Sequence, residues 1–324
     1  MHRAVFHWWA LALRAAVLGG LLFLNGPLRA APYFDETPRM AVVSAFEPEW
    51  QLLLTQLQQR RDYEANGVQF VTGTLRAQPV VLFLSGISMT NAAMNTQLAL
   101  ERFRVTQLVF SGIAGGVNPA LSIGDVTVPD RWGQYLEVLM ARETAPGRYS
   151  APPWMNDVLF TNFGMMHPRP VQVRRAGQTK FVNKFWFEVD AAMLQVARSL
   201  GVMELNACDA SQRCLKHKPR LVLGGTGVSG SAFVDNAAFR DYTFKTYQAN
   251  VLDMETAAAA AVAWSNGVPF IAFRSLSDLA GGGESSNELD TFFKIAADNS
   301  AQVLLTFISA WRKQANSHSE PSKR

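Results

Sequence analysis

The sequence predicts an α/β protein, a three-layer α/β/α sandwich around a mixed, mostly parallel sheet. Three observations point there. Apolar runs of strand length alternate with segments of helical period along residues 40–311. Several of these runs end in glycine, serine or an acid, the composition expected at the carboxyl ends of strands, where open α/β sheets bind ligands. Residues 251–283, VLDMETAAAAAVAWSNGVPFIAFRSLSDLAGGG, read as a complete β-α-β unit. In that unit Asp253 and Glu255 flank Met254, a small-residue helix over 256–266 is stopped by Gly267 and Pro269, and the second strand ends in Ser277 and Asp278. Asp253 and Asp278 are placed for chemistry or for helix capping, and three following glycines make a simple cap the poorer account of Asp278. With 324 residues, 48% of them hydrophobic, the chain can bury a full core.

Taken in order, residues 40–46 (MAVVSAF) form the first strand, and Pro48 opens a helix that continues through Trp50, Leu53, Leu54 and Leu57 to about Arg61. Residues 68–75 and 79–84 pair as a hairpin. Ser85 begins a tight small-residue turn, a helix covers 90–102, and Val109 and Phe110 lead into a glycine-rich loop, 111–116, that includes Gly115. Residues 121–129 add a turn and a strand. The stretch 131–185 is the least regular, rich in proline and aromatics, and reads either as a lid or pocket edge or as a peripheral insertion. Asp190 caps a helix ending at Gly201, and residues 220–224 are a strand. Gly225, Gly227 and Gly230 then match the dinucleotide pattern G-x-G-x-x-G, but no helix opens until about Ala237, so the phosphate would lack its helix N-terminus and the motif is set aside. An amphipathic helix over about 290–311 closes the domain.

The ends differ from the middle. Residues 1–31 carry an early arginine, a short apolar run and a small-residue pair, the three regions of a secretory signal peptide, and the run is too short to span a bilayer. Export to a periplasmic or extracellular space is therefore expected, with no stable membrane span once the leader is gone. Its loss leaves 27 basic against 26 acidic residues, with no basic stripe to suggest a nucleic-acid polymer. Cys208 and Cys214 are the only cysteines, and in an oxidising compartment they are disulfide candidates. Residues 39–312 read as one domain with an insertion at about 131–219, and 313–324 as a disordered tail.

Several chemistries lack their residues. No histidine pair has zinc-ligand spacing, the serine-hydrolase elbow lacks its last glycine, and there is no Walker lysine. What stands at strand ends is Glu49, Ser85, the 111–116 loop, Phe233, Met254, Glu255 and Asp278. Carboxylates for acid and base work beside apolar walls suit glycosidic-bond cleavage.

The segments SAFEPEW, SGISMTNAA, SGIAGGVNPALSIGDVTVP, VSGSAFVDN, LDMETAAAA and FRSLSDLAGGG resemble, in order, the motifs of the nucleoside phosphorylase and methylthioadenosine/adenosylhomocysteine nucleosidase superfamily. The leader, the middle insertion and VDNAAFRDY are most similar to a secreted branch that includes plant bark and vegetative storage proteins. The resemblance implies a purine nucleosidase that needs no metal or organic cofactor. Glu49 would activate the attacking water and Asp278 protonate N7 of the base. Glu255 would accept from the ribose hydroxyls with Met254 beside the sugar, while Phe233 stacks on the purine and the Val234 backbone meets its edge. Ser85 would line the nucleophile site, with Gly115 and Ser277 also contacting substrate. A homo-oligomer, most simply a dimer, is implied as well. Asp253 stands where cytoplasmic members have glutamate, and 131–219 is far longer than in them. Phe46 is expected in the core, whereas Trp50 could serve core or pocket. Two other readings remain: a phosphorylase drawing phosphate ligands from Arg274 or the insertion, and a binding or storage protein that turns over little.

Overall fold

The computed structural model describes residues 33–155, 159–283 and 287–319. The leader assigned to residues 1–31 lies outside the described residues.

Strands β1 (Asp35–Ser44), β2 (Gln58–Ala65), β3 (Val68–Leu75), β4 (Gln78–Leu84), β5 (Phe103–Gly116) and β6 (Val126–Val128) come first, with helices α1 (Glu47–Gln56) and α2 (Met89–Arg102) among them. A middle region contributes β7 (Arg131–Gln134), β8 (Val138–Met140), β9 (Arg142–Ala145), β10 (Arg148–Ser150), β11 (Met166–Pro168), β12 (Val171–Val173), β13 (Val182–Lys184) and β14 (Trp186–Glu188). The last part runs α3 (Ala191–Arg198), β15 (Leu221–Leu223), β16 (Thr226–Ser229), α4 (Ala237–Tyr247), β17 (Ala249–Asp253), α5 (Thr256–Asn266), β18 (Phe270–Asp278) and α6 (Leu289–Ser319).

One 12-stranded sheet holds the molecule together, in the order β14-β7-β16-β17-β5-β1-β4-β3-β2, with β18, β6 and β15 branching from β5. Helices α1, α3 and α6 pack together, and α2 packs on α5, giving a helical layer on each face. The mixed α/β architecture is the one the alternating pattern predicts. β5 is its axis. It pairs in parallel with β1 up to Phe110 and in parallel with β18 from Leu108 to Gly115, and its end pairs antiparallel with β17 at Gly115 and Gly116. The carboxyl ends of β1, β17 and β18 therefore converge on the last turns of one strand.

Several local expectations give way. The first helix ends at Gln56 rather than Arg61: beyond Leu57 the sequence offers no apolar stripe, and Gln58–Ala65 instead pairs with the free edge of β3 as an exposed strand. Residues 111–116 are not a loop but the end of β5, all but one of them buried. The last helix runs through Trp311 to Ser319, so the first part of the stretch assigned to a disordered tail is helical. The irregular 131–219 stretch is also more ordered than its prolines suggest. It joins the main sheet and helical layer through β7, β14 and α3, and the intervening chain forms the small antiparallel pairs β8/β11, β9/β10 and β12/β13. Beneath it Tyr135, Phe185 and Tyr247 form a second core, joined by Phe160 and Trp186.

Other local readings agree with the structure. The 68–84 hairpin forms, with Arg76 and Ala77 both at positive φ in a two-residue turn. Asp190 caps α3, accepting from the backbone N–H groups of Ala192 and Met193 at 3.0 Å each. Of the three motif glycines, Gly227 lies within a sheet strand and Gly225 and Gly230 flank it, and the next helix starts at Ala237 behind an Asn236 cap. Cys208 and Cys214 are joined in a disulfide. Among the described residues no helix is long and apolar enough to cross a membrane.

Candidate active site

A cavity of about 240 Å³ opens where β1, β17 and β18 end. Phe46, Glu49, Ile113, Gly115, Phe233, Val234, Met254, Glu255, Ser277 and Asp278 all line it, as does Asp253. Glu49 comes from the first turn of α1, where Pro48 starts the helix directly after β1. Its carboxylate is held by two backbone donors, the N–H of Ala45 at 2.5 Å to Oε2 and that of Ile113 at 2.8 Å to Oε1.

Opposite lies Arg274, on β18 and fully buried. Its Nε lies 2.7 Å from Asp253 Oδ2 and donates to Thr256 Oγ1 at 2.8 Å; Nη1 lies 3.5 Å from Glu49 Oε1 and Nη2 3.3 Å from Glu255 Oε2. The guanidinium also covers the Phe110 ring at 4.3 Å from its centroid. Each of its nitrogens is thus committed to the protein, which removes Arg274 as a phosphate ligand and makes it the counter-ion of three carboxylates. The sequence reading missed this role; the signal was a lone cation directly after the apolar run FIAF in a strand buried along its whole length.

The carboxylates respond differently. Burial pushes Glu49 above the usual carboxylate range, opposed by the Arg274 charge and by backbone donors at Ile113, Ala45 and Phe46. Burial pushes Glu255 up to about 7, with Arg274 opposing and neighbouring Asp253 reinforcing. Glu255 also accepts from the Ser88 N–H at 2.8 Å, tying the β4–α2 turn to the site. Burial raises Asp278 as well, against donors from Ala280, Ser277 and Asn287 and reinforced by the charge of Asp235. Asp253 is a structural hub: Oδ1 accepts from the N–H groups of Glu255 and Thr256 at 3.2 and 3.1 Å, and its two oxygens accept from the Ser229 and Thr256 hydroxyls. It caps α5 while it anchors Arg274.

The glycines of β5 have a steric purpose. A Cβ on Gly112 would meet Glu49 Oε1 at 2.2 Å and Arg274 Nη1 at 2.3 Å, so this strand is notched to let the ion pair cross it. At Gly115 the added carbon would meet Ala280 at 3.2 Å and Asp278 Oδ1 at 3.3 Å.

Eight of the nine residues assigned to catalysis or substrate contact meet at this cavity. Ser85 does not line it: the residue is fully buried behind the site, its hydroxyl donating to the Gly86 carbonyl and its carbonyl accepting from Asn95. Ile87 and Ser88, two and three residues on, hold that side instead. Of the aromatic pair around Glu49, Trp50 is buried in the core, the first of its two expected places, and Phe46, expected in the core, packs against that core but also lines the cavity.

The phosphorylase superfamily model matches residues 39–309. The chain belongs to this superfamily. Relatives named 5′-methylthioadenosine/S-adenosylhomocysteine nucleosidase include one from Geobacillus sp. (strain WCH70), 28% identical over 85% of this chain and all of its own length. Another, from Lysinibacillus sphaericus (strain C3-41), is 28% identical over 84% of this chain and 99% of its own. Among solved structures, a methylthioadenosine/S-adenosylhomocysteine nucleosidase from Colwellia psychrerythraea, in complex with adenine, superposes with a TM-score of 0.61. It is 26% identical, and the match covers 86% of this chain and 97% of that one. The futalosine hydrolase of Helicobacter pylori shares the fold at a TM-score of 0.61 and 20% identity, over 84% of this chain and 97% of its own. The superfamily membership agrees with the six sequence segments, and the mixed sheet with the architecture of these neighbours.

Proposed function

We propose that the protein hydrolyses the N-glycosidic bond of purine nucleosides of the adenosine, methylthioadenosine or adenosylhomocysteine type. One observation carries the reading: Glu49 and Asp278, 229 positions apart in the sequence, line the same small cavity with Glu255 and Phe233. A purine leaves poorly as an anion. Asp278, whose burial favours the protonated form, gives its proton to N7 while the C1′–N9 bond breaks and its electron pair passes to the base. Glu49 takes a proton from water as the oxygen bonds to C1′. Glu255 accepts from the sugar hydroxyls, and the ring of Phe233, 58% exposed at the rim, is free to cover the base. General acid and base help of this kind contributes about 10²–10⁴ in rate.

Water is favoured over phosphate as nucleophile because no basic side chain lines the cavity among the described residues, and Arg274, buried behind it, is already shared among Glu49, Asp253 and Glu255. The test is purified protein incubated with a panel of purine nucleosides, with and without phosphate, and analysed for free base, ribose and ribose 1-phosphate. Base release independent of phosphate is expected. Strict dependence on phosphate would overturn the hydrolytic reading, and binding without release would identify a storage-type protein.

The reading extends to an exported enzyme, supported by the signal-peptide pattern of residues 1–31 and the Cys208–Cys214 pair. Fractionation of expressing cells tests it: recovery only with the cytoplasm excludes export.

A further inference from the structure

Asn287 stands two residues before α6 and uses every polar atom of its side chain. Its Oδ1 accepts from the Leu289 N–H at 2.9 Å, which orients the amide and turns Nδ2 the other way. Nδ2 donates to Asp278 Oδ1 at 3.4 Å and to Asp235 Oδ1 at 3.2 Å. One amide therefore links three segments: the acid at the end of β18, the loop after Phe233 and Val234, and the start of α6.

The remaining bonds of Asp278 give this link a chemical meaning. Oδ1 accepts from the Ala280 N–H at 2.7 Å as well as from Asn287. Both partners can only donate, so Oδ1 must offer lone pairs to them, and the proton of the carboxylic acid is confined to Oδ2. There it meets Ser277 Oγ, 2.9 Å from Oδ2 and 3.4 Å from the Ala114 carbonyl. That hydroxyl can donate to Ala114 while Oδ2 is protonated and swing to Oδ2 once the proton has left.

We propose that Asn287 is a positioning residue for the general acid, holding Asp278 so that its transferable proton sits on Oδ2 and bracing the carboxylate that transfer leaves behind. This rests on the reading of Asp278 as the proton donor to N7. No bond is made or broken by Asn287; its two N–H groups remain donors throughout, and the one to Oδ1 strengthens as the carboxyl becomes an anion. Asp235 accepts the other and fixes the amide plane. The charged groups around this corner are Asp235 itself, Arg240 of α4 packed against Gly282, Glu288 against Gly283, and Glu255 across the cavity.

The test separates positioning from helix capping. Asn287→Ser keeps an oxygen able to cap Leu289 but is too short to reach either carboxylate. The expected result is a kcat about tenfold lower near neutral pH, with KM within about twofold and an unchanged melting temperature. The alkaline limb of kcat should also move to higher pH, because Asp278 has lost a donor that favours its anion. An unmoved limb with normal kcat, or a lower kcat accompanied only by a lower melting temperature, overturns the proposal. Titration of the Asp278 carboxyl by ¹³C NMR reads the same hold without turnover: a higher midpoint in the variant supports it, and equal midpoints overturn it. If the wild-type protein releases no base, the functional reading fails by itself, and the titration still decides whether Asn287 governs the ionisation of Asp278.

Discussion

Arg274 is the residue on which the site's electrostatics turn, because one fully buried guanidinium offsets three carboxylates that line the cavity. Truncating one member of such a network costs far more than the network itself is worth, since the partners remain buried and uncompensated. Arg274→Met should therefore lose about 3–5 kcal/mol in denaturant unfolding, with part of the loss recovered near pH 5 as Glu49 and Glu255 take up protons. Asp278→Asn should behave in the opposite manner. The amide oxygen can still accept from Ala280, so the melting temperature should hardly change while base release falls by about 100-fold or more. Near-normal turnover in that variant would remove Asp278 from the mechanism. Because Glu49 must be ionised and Asp278 protonated, and burial raises both, kcat/KM should fall on the acid side through Glu49 and on the alkaline side through Asp278.

At the scale of elements, β5 shows why some of the site was legible and some was not. Glu49, Glu255, Phe233 and Asp278 sit at junctions that punctuation in the chain marks plainly: a proline after a strand, an acid before a run of alanines, glycines after an apolar run. The use of glycine at 112 has no such mark, because a glycine that opens a turn and one that clears space for a distant ion pair look the same until Glu49 and Arg274 are brought to it. Gly112→Ala should abolish most activity by displacing that pair, and the double variant Gly112→Ala with Arg274→Met should be no less active than Gly112→Ala alone if the collision is the cause. Ser85 misled for a related reason. Its turn does reach the site, but the strand's alternation sends its side chain inward, and only Ile87 and Ser88 emerge. β2 escaped notice because glutamine, arginine and glutamate suit a helix as well as an exposed edge strand, and only the open side of β3 decides between them.

Across the whole molecule, the buried acids set how stability responds to pH. Below about pH 4.5 Glu255 is protonated in both folded and unfolded chains and contributes nothing to the difference. Between pH 4.5 and about 7 the unfolded chain releases this proton while the folded one retains it, so stability falls as pH rises. Glu49 and Asp278 act in the same direction. The melting temperature should accordingly be lower at pH 8 than at pH 5.5, and a rise over that interval would contradict the assigned directions. The disulfide works elsewhere and modestly. It closes a loop six residues apart, so Cys208→Ser with Cys214→Ser should cost about 2 kcal/mol and leave the site's chemistry intact.

The position of β5 between early and late strands has a further consequence, for biosynthesis. A chain still growing at residue 248 has made β1 and β5 but neither β17 nor β18, so the second edge of its central strand stands open and Glu49 has no counter-ion. No amino-terminal intermediate can complete the sheet, and contacts this distant in sequence make for slow, all-or-none closure. The sheet and the ion network thus close only once the last quarter of the chain has been made.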